Sequence, residues 1–171
     1  MKNFFLISRV NLLFLFISLV YLIFILGTDY ISFYNTEWLH TGNDTPSTYM
    51  GWVFFKNDIW RFPLGGNPNY GGELGNSIVF TDSIPLLALF FKLFKYFIPD
   101  NFQYFSLWYF ICFYFQLYFS FKILKKFTNS IPYSFIGSFF FLIAPIFVYR
   151  VNIMSAAAGQ WILLLALYLA L

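Results

Sequence analysis

The sequence predicts an all-α fold, a polytopic transmembrane helical bundle with a long external first loop that contains interfacial helices. Two observations predict it. The 171 residues are 60% hydrophobic and 26% aromatic, with 27 phenylalanines, and only 10% are charged, whereas a soluble domain carries about 25% charged residues. Six of the seven acidic residues, Asp29, Glu37, Asp44, Asp58, Glu73 and Asp82, fall in one polar stretch between long apolar runs. That stretch also holds the sole histidine, His40, and eight of the ten glycines lie between Gly27 and Gly75. A connector between two helices needs only ~2–8 residues. Roughly fifty residues of this composition read as a structured surface element that carries function.

The first span, at about residues 10–28, contains the run Val10–Leu26, interrupted only by Asn11 and Ser18. A bilayer crossing takes ~20 mostly apolar residues. Lys2 and Arg9 would also suit a signal peptide. However, such an apolar core is ~7–15 residues long and ends in small residues, which Leu26-Gly27-Thr28-Asp29 does not provide. The segment reads as an uncleaved helix.

The external loop covers about residues 29–100. Within it, Asp44-Thr-Pro-Ser predicts a helix start, with Asp44 as N-cap and Pro46 in the first turn. That helix runs through Tyr49, Trp52, Val53 and Phe55 to about Asn57. The following Arg61–Gly75 stretch is dense in Gly, Pro and Asn, which excludes a helix. It also lacks the Gly-Lys-Ser/Thr ending of a phosphate-binding loop. Asp82-Ser-Ile-Pro repeats the arrangement at Asp44, an acid capping a Pro-started helix. Ser83–Pro99 is short and contains Lys92 and Lys95. It reads as an amphipathic helix in the outer interface, aromatics down and lysines toward phosphate headgroups. The alternative is a short span with snorkelling lysines.

Further spans follow at about residues 102–124 and 131–149, and Trp161 opens a fourth apolar run that stops at Leu171. Eleven residues cannot cross a bilayer, so the chain reads as the N-terminal part of a longer multi-pass protein. Lys and Arg accumulate on cytoplasmic ends. Lys2 and Arg9 before the first span, and Lys122, Lys125 and Lys126 after the second, are both cytoplasmic only if an odd number of crossings lies on each side of the loop. The N-terminus is then inside, the loop outside, and Arg150–Gln160 forms a second external segment. Trp38, Trp52, Trp60 and Trp161 fall near predicted interfaces, where indoles prefer to sit. The single cysteine, Cys112, excludes an intrachain disulfide. A net charge of +3 spread along apolar segments marks topology and gives no nucleic-acid patch.

Asp44 is the foremost candidate for chemistry, lying beside His40 near the membrane. A carboxylate there can take a proton from an acceptor hydroxyl or ligate a divalent metal. It can equally be an ordinary helix cap worth ~1 kcal/mol. Asp82 and Glu73 carry the same two readings, and Glu73 the more ordinary one. His40 has no second His or Cys at ligand spacing. Arg61, Lys56, Lys92, Lys95 and Arg150 suit a lipid phosphate or pyrophosphate, Arg bidentately and Lys as a point charge. Loop aromatics such as Tyr70 suit stacking on sugar rings. No Ser/His/Asp or Cys/His nucleophile set is present.

The segment Asn43-Asp44-Thr-Pro-Ser-Thr-Tyr-Met-Gly-Trp, then Phe62-Pro-Leu-Gly-Gly-Asn-Pro-Asn-Tyr-Gly and Ser77-Ile-Val-Phe-Thr-Asp82-Ser-Ile-Pro, resembles a bacterial multi-pass group of the GT-C superfamily of membrane glycosyltransferases. That resemblance implies transfer of a sugar from a polyprenyl-phosphate donor to a glycan or lipid acceptor, on the external face of the bacterial cytoplasmic membrane. By it, Asp44 takes the first-loop acid's role as general base or ligand of a divalent metal, Mg or Mn. His40, Arg61, Tyr70, Glu73 and Arg150 become the candidate substrate-binding residues. The second external segment of such enzymes often supplies another acid. Arg150–Gln160 has none, which leaves Asp82 as the partner for Asp44. Two other classes remain open at this level. One is a non-catalytic membrane component or inactive truncated remnant; the other is a surface-polysaccharide polymerase or translocation component relying on external arginines.

Overall fold

The computed structural model describes residues 2–42 and 44–171, with side chains from Arg9 onward; Asn43 and the side chain of Lys2 lie outside the described residues. The chain is predominantly helical. Helix α1 spans Lys2–Leu26, α2 Thr45–Asn57, α3 Pro85–Lys92, α4 Phe105–Thr128, α5 Ile131–Leu142, α6 Pro145–Ile153 and α7 Trp161–Ala170. Among the described residues, the one departure from helix and loop is a two-stranded antiparallel ribbon, β1 (Gly66–Asn67) against β2 (Asn76–Ser77). Among the described residues, two helices are long and apolar enough to cross a membrane, Arg9–Leu26 within α1 and α4.

Helix α4 is the hub, packing against α1, α5 and α7. Its apolar side chains close the contacts through rings. Phe14 of α1 stacks on Phe135 of α5 at 5.4 Å and meets Phe121 of α4 edge-on at 5.5 Å. A tight hairpin joins α4 to α5. Asn129 takes a left-handed conformation at φ 51° as the α4 C-cap, and Thr128 and Ser134 share a hydroxyl bond across the turn. Gly137 lets the two helices close, since a Cβ there would lie 2.6 Å from Leu124.

The expected straight span over 131–149 is broken. Helices α5 and α6 meet at a 46° bend, because Pro145 has no N–H to return to the Phe141 carbonyl and its ring obstructs a continuous helix. The carbonyls freed by the break find partners on neighbouring helices. Gln116 of α4 donates to Phe141 O at 3.3 Å, and Tyr21 of α1 donates its hydroxyl to Leu142 O at 3.2 Å. Helix α6 then continues to Ile153, so Arg150 lies on a helix and only residues 154–160 form a connection.

The long loop is closed at its base. Gln103 N donates to Phe33 O at 2.8 Å, Gln103 Nε2 to Ser32 O at 2.7 Å, and Asn101 Nδ2 to Tyr34 O at 3.1 Å. These bonds occupy residues 101–103, and α4 therefore starts at Phe105, later than the apolar run suggests. The helix over 45–57 forms where expected, and 61–75 is turns and ribbon. Two expectations for Ser83–Pro99 need correction. The helix there is only α3, eight residues and about 12 Å long, against roughly 30 Å of hydrocarbon, so it is not a span. Lys92 does not point toward headgroups: it is 1% exposed, with its ammonium 3.9 Å from the Phe55 ring centroid and 4.9 Å from that of Trp60. Aromatic rings surround the charge and offset part of its lost hydration. Trp52, expected at an interface, is fully buried and donates its indole N–H to Phe102 O at 3.1 Å.

Candidate functional site

Asp44 stands at the N-cap position of α2, yet its side chain makes no capping bond. The first turn is stabilised instead from within, by Ser47 and Thr48 hydroxyls donating to Asp44 O at 2.8 and 3.0 Å. The carboxylate is thus released from the structural role that a cap would give it. Asp82 is not a cap either, which corrects the second reading. The residue before α3 is Ile84, left-handed at φ 47°, and Asp82 is itself left-handed at φ 58°. Two such residues reverse the chain, and the Asp82 carboxylate turns away from α3. Its Oδ2 accepts the Ala156 N–H at 3.3 Å, a contact across 74 residues.

Asp44 opens α2, and Thr48 of its first turn accepts from Ser83 Oγ, which brings Asp82 within the field of the Asp44 charge. Partial burial holds the Asp82 carboxyl above the usual carboxylate range, and the neighbouring charge of Asp44 pushes it the same way; the Ala156 N–H opposes both. Like charges in one site behave in this way, since ionising the second must overcome the first.

A hydroxyl network fixes this geometry. Ser83 Oγ donates to Thr48 O at 2.6 Å and lies 2.7 Å from Thr81 Oγ1, and the Tyr104 hydroxyl donates to Ser83 O. Gly51 permits it: a Cβ at that position would sit 2.5 Å from Thr81 and 2.7 Å from Ser83 Oγ. Asn67 of β1 donates to Gly51 O at 3.0 Å, so the ribbon clamps the other side of α2. The 154–160 connection is held by the N-terminal end of α4. Trp108 Nε1 donates to Ser155 O at 2.6 Å, and Tyr109 shares a 3.0 Å bond with Ser155 Oγ. The acids therefore lie where α2, the 81–83 turn and the 155–156 turn converge.

Between α1 and α4 lies an apolar groove of about 540 Å³, lined by Leu15, Leu19 and Leu22 of α1, Tyr30 of the loop, and Leu107 and Phe110 of α4. Tyr30 stacks on Trp38 at 3.9 Å and approaches Tyr109 at 6.2 Å. A wall of rings thus joins the groove to the residue that holds Ser155.

The remaining candidates are dispersed. His40 is exposed and meets the Tyr49 ring edge-on at 5.3 Å. Arg61 pairs with Asp58 at 2.7 Å. Tyr70 donates to Ser47 O at 3.3 Å with its ring 5.4 Å from Phe54. Glu73 is exposed at the ribbon's tip, and Arg150 is exposed on α6. Lys56 and Lys92, read as phosphate ligands, are both buried. Lys56 donates to Pro99 O and Asp100 O at 3.3 and 2.9 Å, which ties the end of α2 to the base of the loop. Sequence reasoning missed Ser155 and the turn around it, because nothing local distinguishes that serine until Trp108 and Tyr109 meet it. Among the described residues, no group of three His, Cys, Asp or Glu stands together as a metal cage.

The profile of a domain of unknown function, DUF6311, matches residues 15–171. No curated protein and no solved structure matches the chain.

Proposed function

We propose that this chain, which belongs to the DUF6311 family, is a multi-pass membrane glycosyltransferase of GT-C type, transferring a sugar from a polyprenyl-phosphate donor on the external face of the membrane. The observation that carries the reading is an uncapped Asp44 whose charge acts on Asp82, an acid that accepts the Ala156 N–H and is held above its usual range. A carboxylate free of structural bonds, with a second one nearby, supports acid–base chemistry on a hydroxyl.

In this reading the acceptor oxygen bonds to the anomeric carbon as the bond from that carbon to the phosphate oxygen breaks. The electron pair leaves on polyprenyl phosphate, and the acceptor proton passes to Asp44. Asp82, oriented by the Ala156 N–H, would supply the second carboxylate beside the reacting carbon, which gains positive character as the phosphate departs. The pair fits a hard divalent ion, Mg or Mn, since such ions take one or two carboxylates and complete their shell from water and substrate phosphate. When bound, the ion would supply charge neutralisation at the departing phosphate. The groove beside Tyr30 suits the donor's lipid chain because it is apolar and adjoins two helices able to cross a membrane.

The test is Asp44→Asn in the full-length protein. Because the carboxylate makes no capping bond and Asn caps as well as Asp, folding and abundance should be unchanged. Glycan transfer should fall by roughly 10²–10⁴, the usual worth of a general base. Unchanged transfer would remove Asp44 from the chemistry. Sidedness is tested separately. Leu74, 97% exposed at the ribbon's tip, is replaced by Cys in a Cys112→Ser background. An impermeant maleimide should label it from outside intact cells. Labelling only after the inner face is opened would reverse the orientation.

A further inference from the structure

We infer that the exposed face of α3, with the turns that follow it, sits in the hydrocarbon edge of the adjoining membrane leaflet and makes a contact without charge. Exposure along this segment repeats at helical spacing. Leu86 is 82% exposed, Phe90 52%, Leu93 64% and Phe97 86%, and residues three and four apart share one side of a helix. The winding continues past Lys92, with Leu93 N donating to Phe90 O at 3.2 Å and Phe97 N to Phe94 O at 2.8 Å. The opposite side holds Ala88, Lys92 and Lys95. Ala88 and Lys92 are buried where α3 packs against α2, and Lys95 Nζ reaches inward to Asp58 O at 3.2 Å.

This is the reverse of a helix that faces water. A water-facing helix buries its apolar stripe and shows its charges, whereas α3 buries an ammonium and shows Leu and Phe. Residues 83–99 contain no acid, and both lysines turn inward. Nothing on the outer face calls for water or for a headgroup charge. An exposed apolar patch of this kind marks a surface that meets a partner or a membrane.

Position decides between the two. The Phe91 ring lies 5.0 Å from that of Phe102 and stacks on Tyr104 at 5.4 Å, so α3 rests on the residues that lead into α4. The 24 residues of α4 extend about 36 Å against roughly 30 Å of hydrocarbon, which sets its first turn at the membrane boundary. A face resting against the top of a span meets the medium that surrounds the span, and that medium is lipid. Ser83 Oγ bonds Thr48 O at 2.6 Å, so seating α3 also seats the first turn of α2. The inference stands whether or not the chain transfers sugars. Lysines aimed at phosphates would make such a contact depend on anionic lipid; an apolar stripe depends on buried area alone.

The experiment uses the whole chain in phosphatidylcholine vesicles, with Leu86→Cys or Phe97→Cys in a Cys112→Ser background and an NBD fluorophore on the introduced thiol. A nitroxide on an upper acyl carbon of the lipid should remove most of the emission at both sites. The same nitroxide on the headgroup should remove less, and aqueous iodide least. Adding phosphatidylglycerol or raising the salt should leave this order and its extent unchanged. Quenching led by iodide or by the headgroup nitroxide at either site would overturn the inference by placing the face in water. Quenching by none of the three would assign the face to a covering protein segment and overturn it equally. Acyl-chain quenching that appears only with phosphatidylglycerol would refute the contact without charge and return the lysines to the headgroups.

Discussion

Around α4, neighbours meet through rings and aliphatic surface: Phe14 on Phe135 and Phe121, Phe113 edge-on to Phe147 at 5.9 Å, Trp161 over Phe119 at 6.1 Å. Around α2, they meet through single bonds aimed at backbone carbonyls: Trp52 to Phe102, Asn67 to Gly51, Ser83 to Thr48, Lys56 to Pro99. Apolar contacts are undirected, so the helical region can absorb substitutions that conserve volume. A directed bond cannot slide, and losing one leaves a buried group unpaired. The loop is therefore the part of the molecule whose geometry is specified to a fraction of an ångström, and it holds both acids.

The largest break in that contrast is expected at Gly51. Gly51→Val places branched carbon against Thr81 and Ser83 and should cost about 3 kcal/mol or more, the upper end for overpacking, read as a lowered Tm in detergent. Trp52→Phe is next. It removes one donor from Phe102 O within a buried site and should cost about 1–3 kcal/mol. Gln116→Leu probes a place where the helical region behaves like the loop. The Phe141 carbonyl at the Pro145 break loses its partner, with an expected loss of about 1–2 kcal/mol. Tyr21→Phe does the same for Leu142 O. Leu117→Met, fully buried on α4, should cost less than about 1.5 kcal/mol; a loss matching Trp52→Phe would erase the distinction.

The subtlest effect is a pH dependence at Lys92. Burial, its largest cause, lowers the ammonium from 10.5 to about 8. The folded state then binds fewer protons than the unfolded state between those values, so stability rises with pH across that window. Lys92→Met removes the titration. The variant should gain on the wild type below pH 8, and the gain should fade as pH approaches 10.5. A difference in Tm that stays constant from pH 7 to 10 would sink this account of Lys92.

Much of the local structure was legible. Asp44-Thr-Pro-Ser marked the start of α2, and the Gly, Pro and Asn content of 61–75 marked a region that cannot be helix. The bend at Pro145 was written in the sequence too, but counting apolar residues over 131–149 gave more weight to length than to the missing N–H. What local pattern could not carry was the destination of side chains. Asp82 followed by Ser-Ile-Pro has the look of a cap, and only the left-handed conformations of Asp82 and Ile84 turn it toward Ala156. Lys92 on an apolar helix looks like a headgroup ligand until Phe55 and Trp60, over thirty positions earlier, fold over it. In both cases a contact distant in sequence outweighed a local preference.

The bonds joining residues 32–34 to 101–103 have a consequence for how this chain tolerates change in length. They fasten the two ends of the loop independently of what lies between. The free energy of closing a flexible segment grows only with the logarithm of its length, about 0.6 kcal/mol per doubling. At the far end of the ribbon, Glu73 and Leu74 are exposed, and neither side chain takes part in a hydrogen bond. An epitope tag or a small folded insert placed there should therefore be accepted without moving the acids.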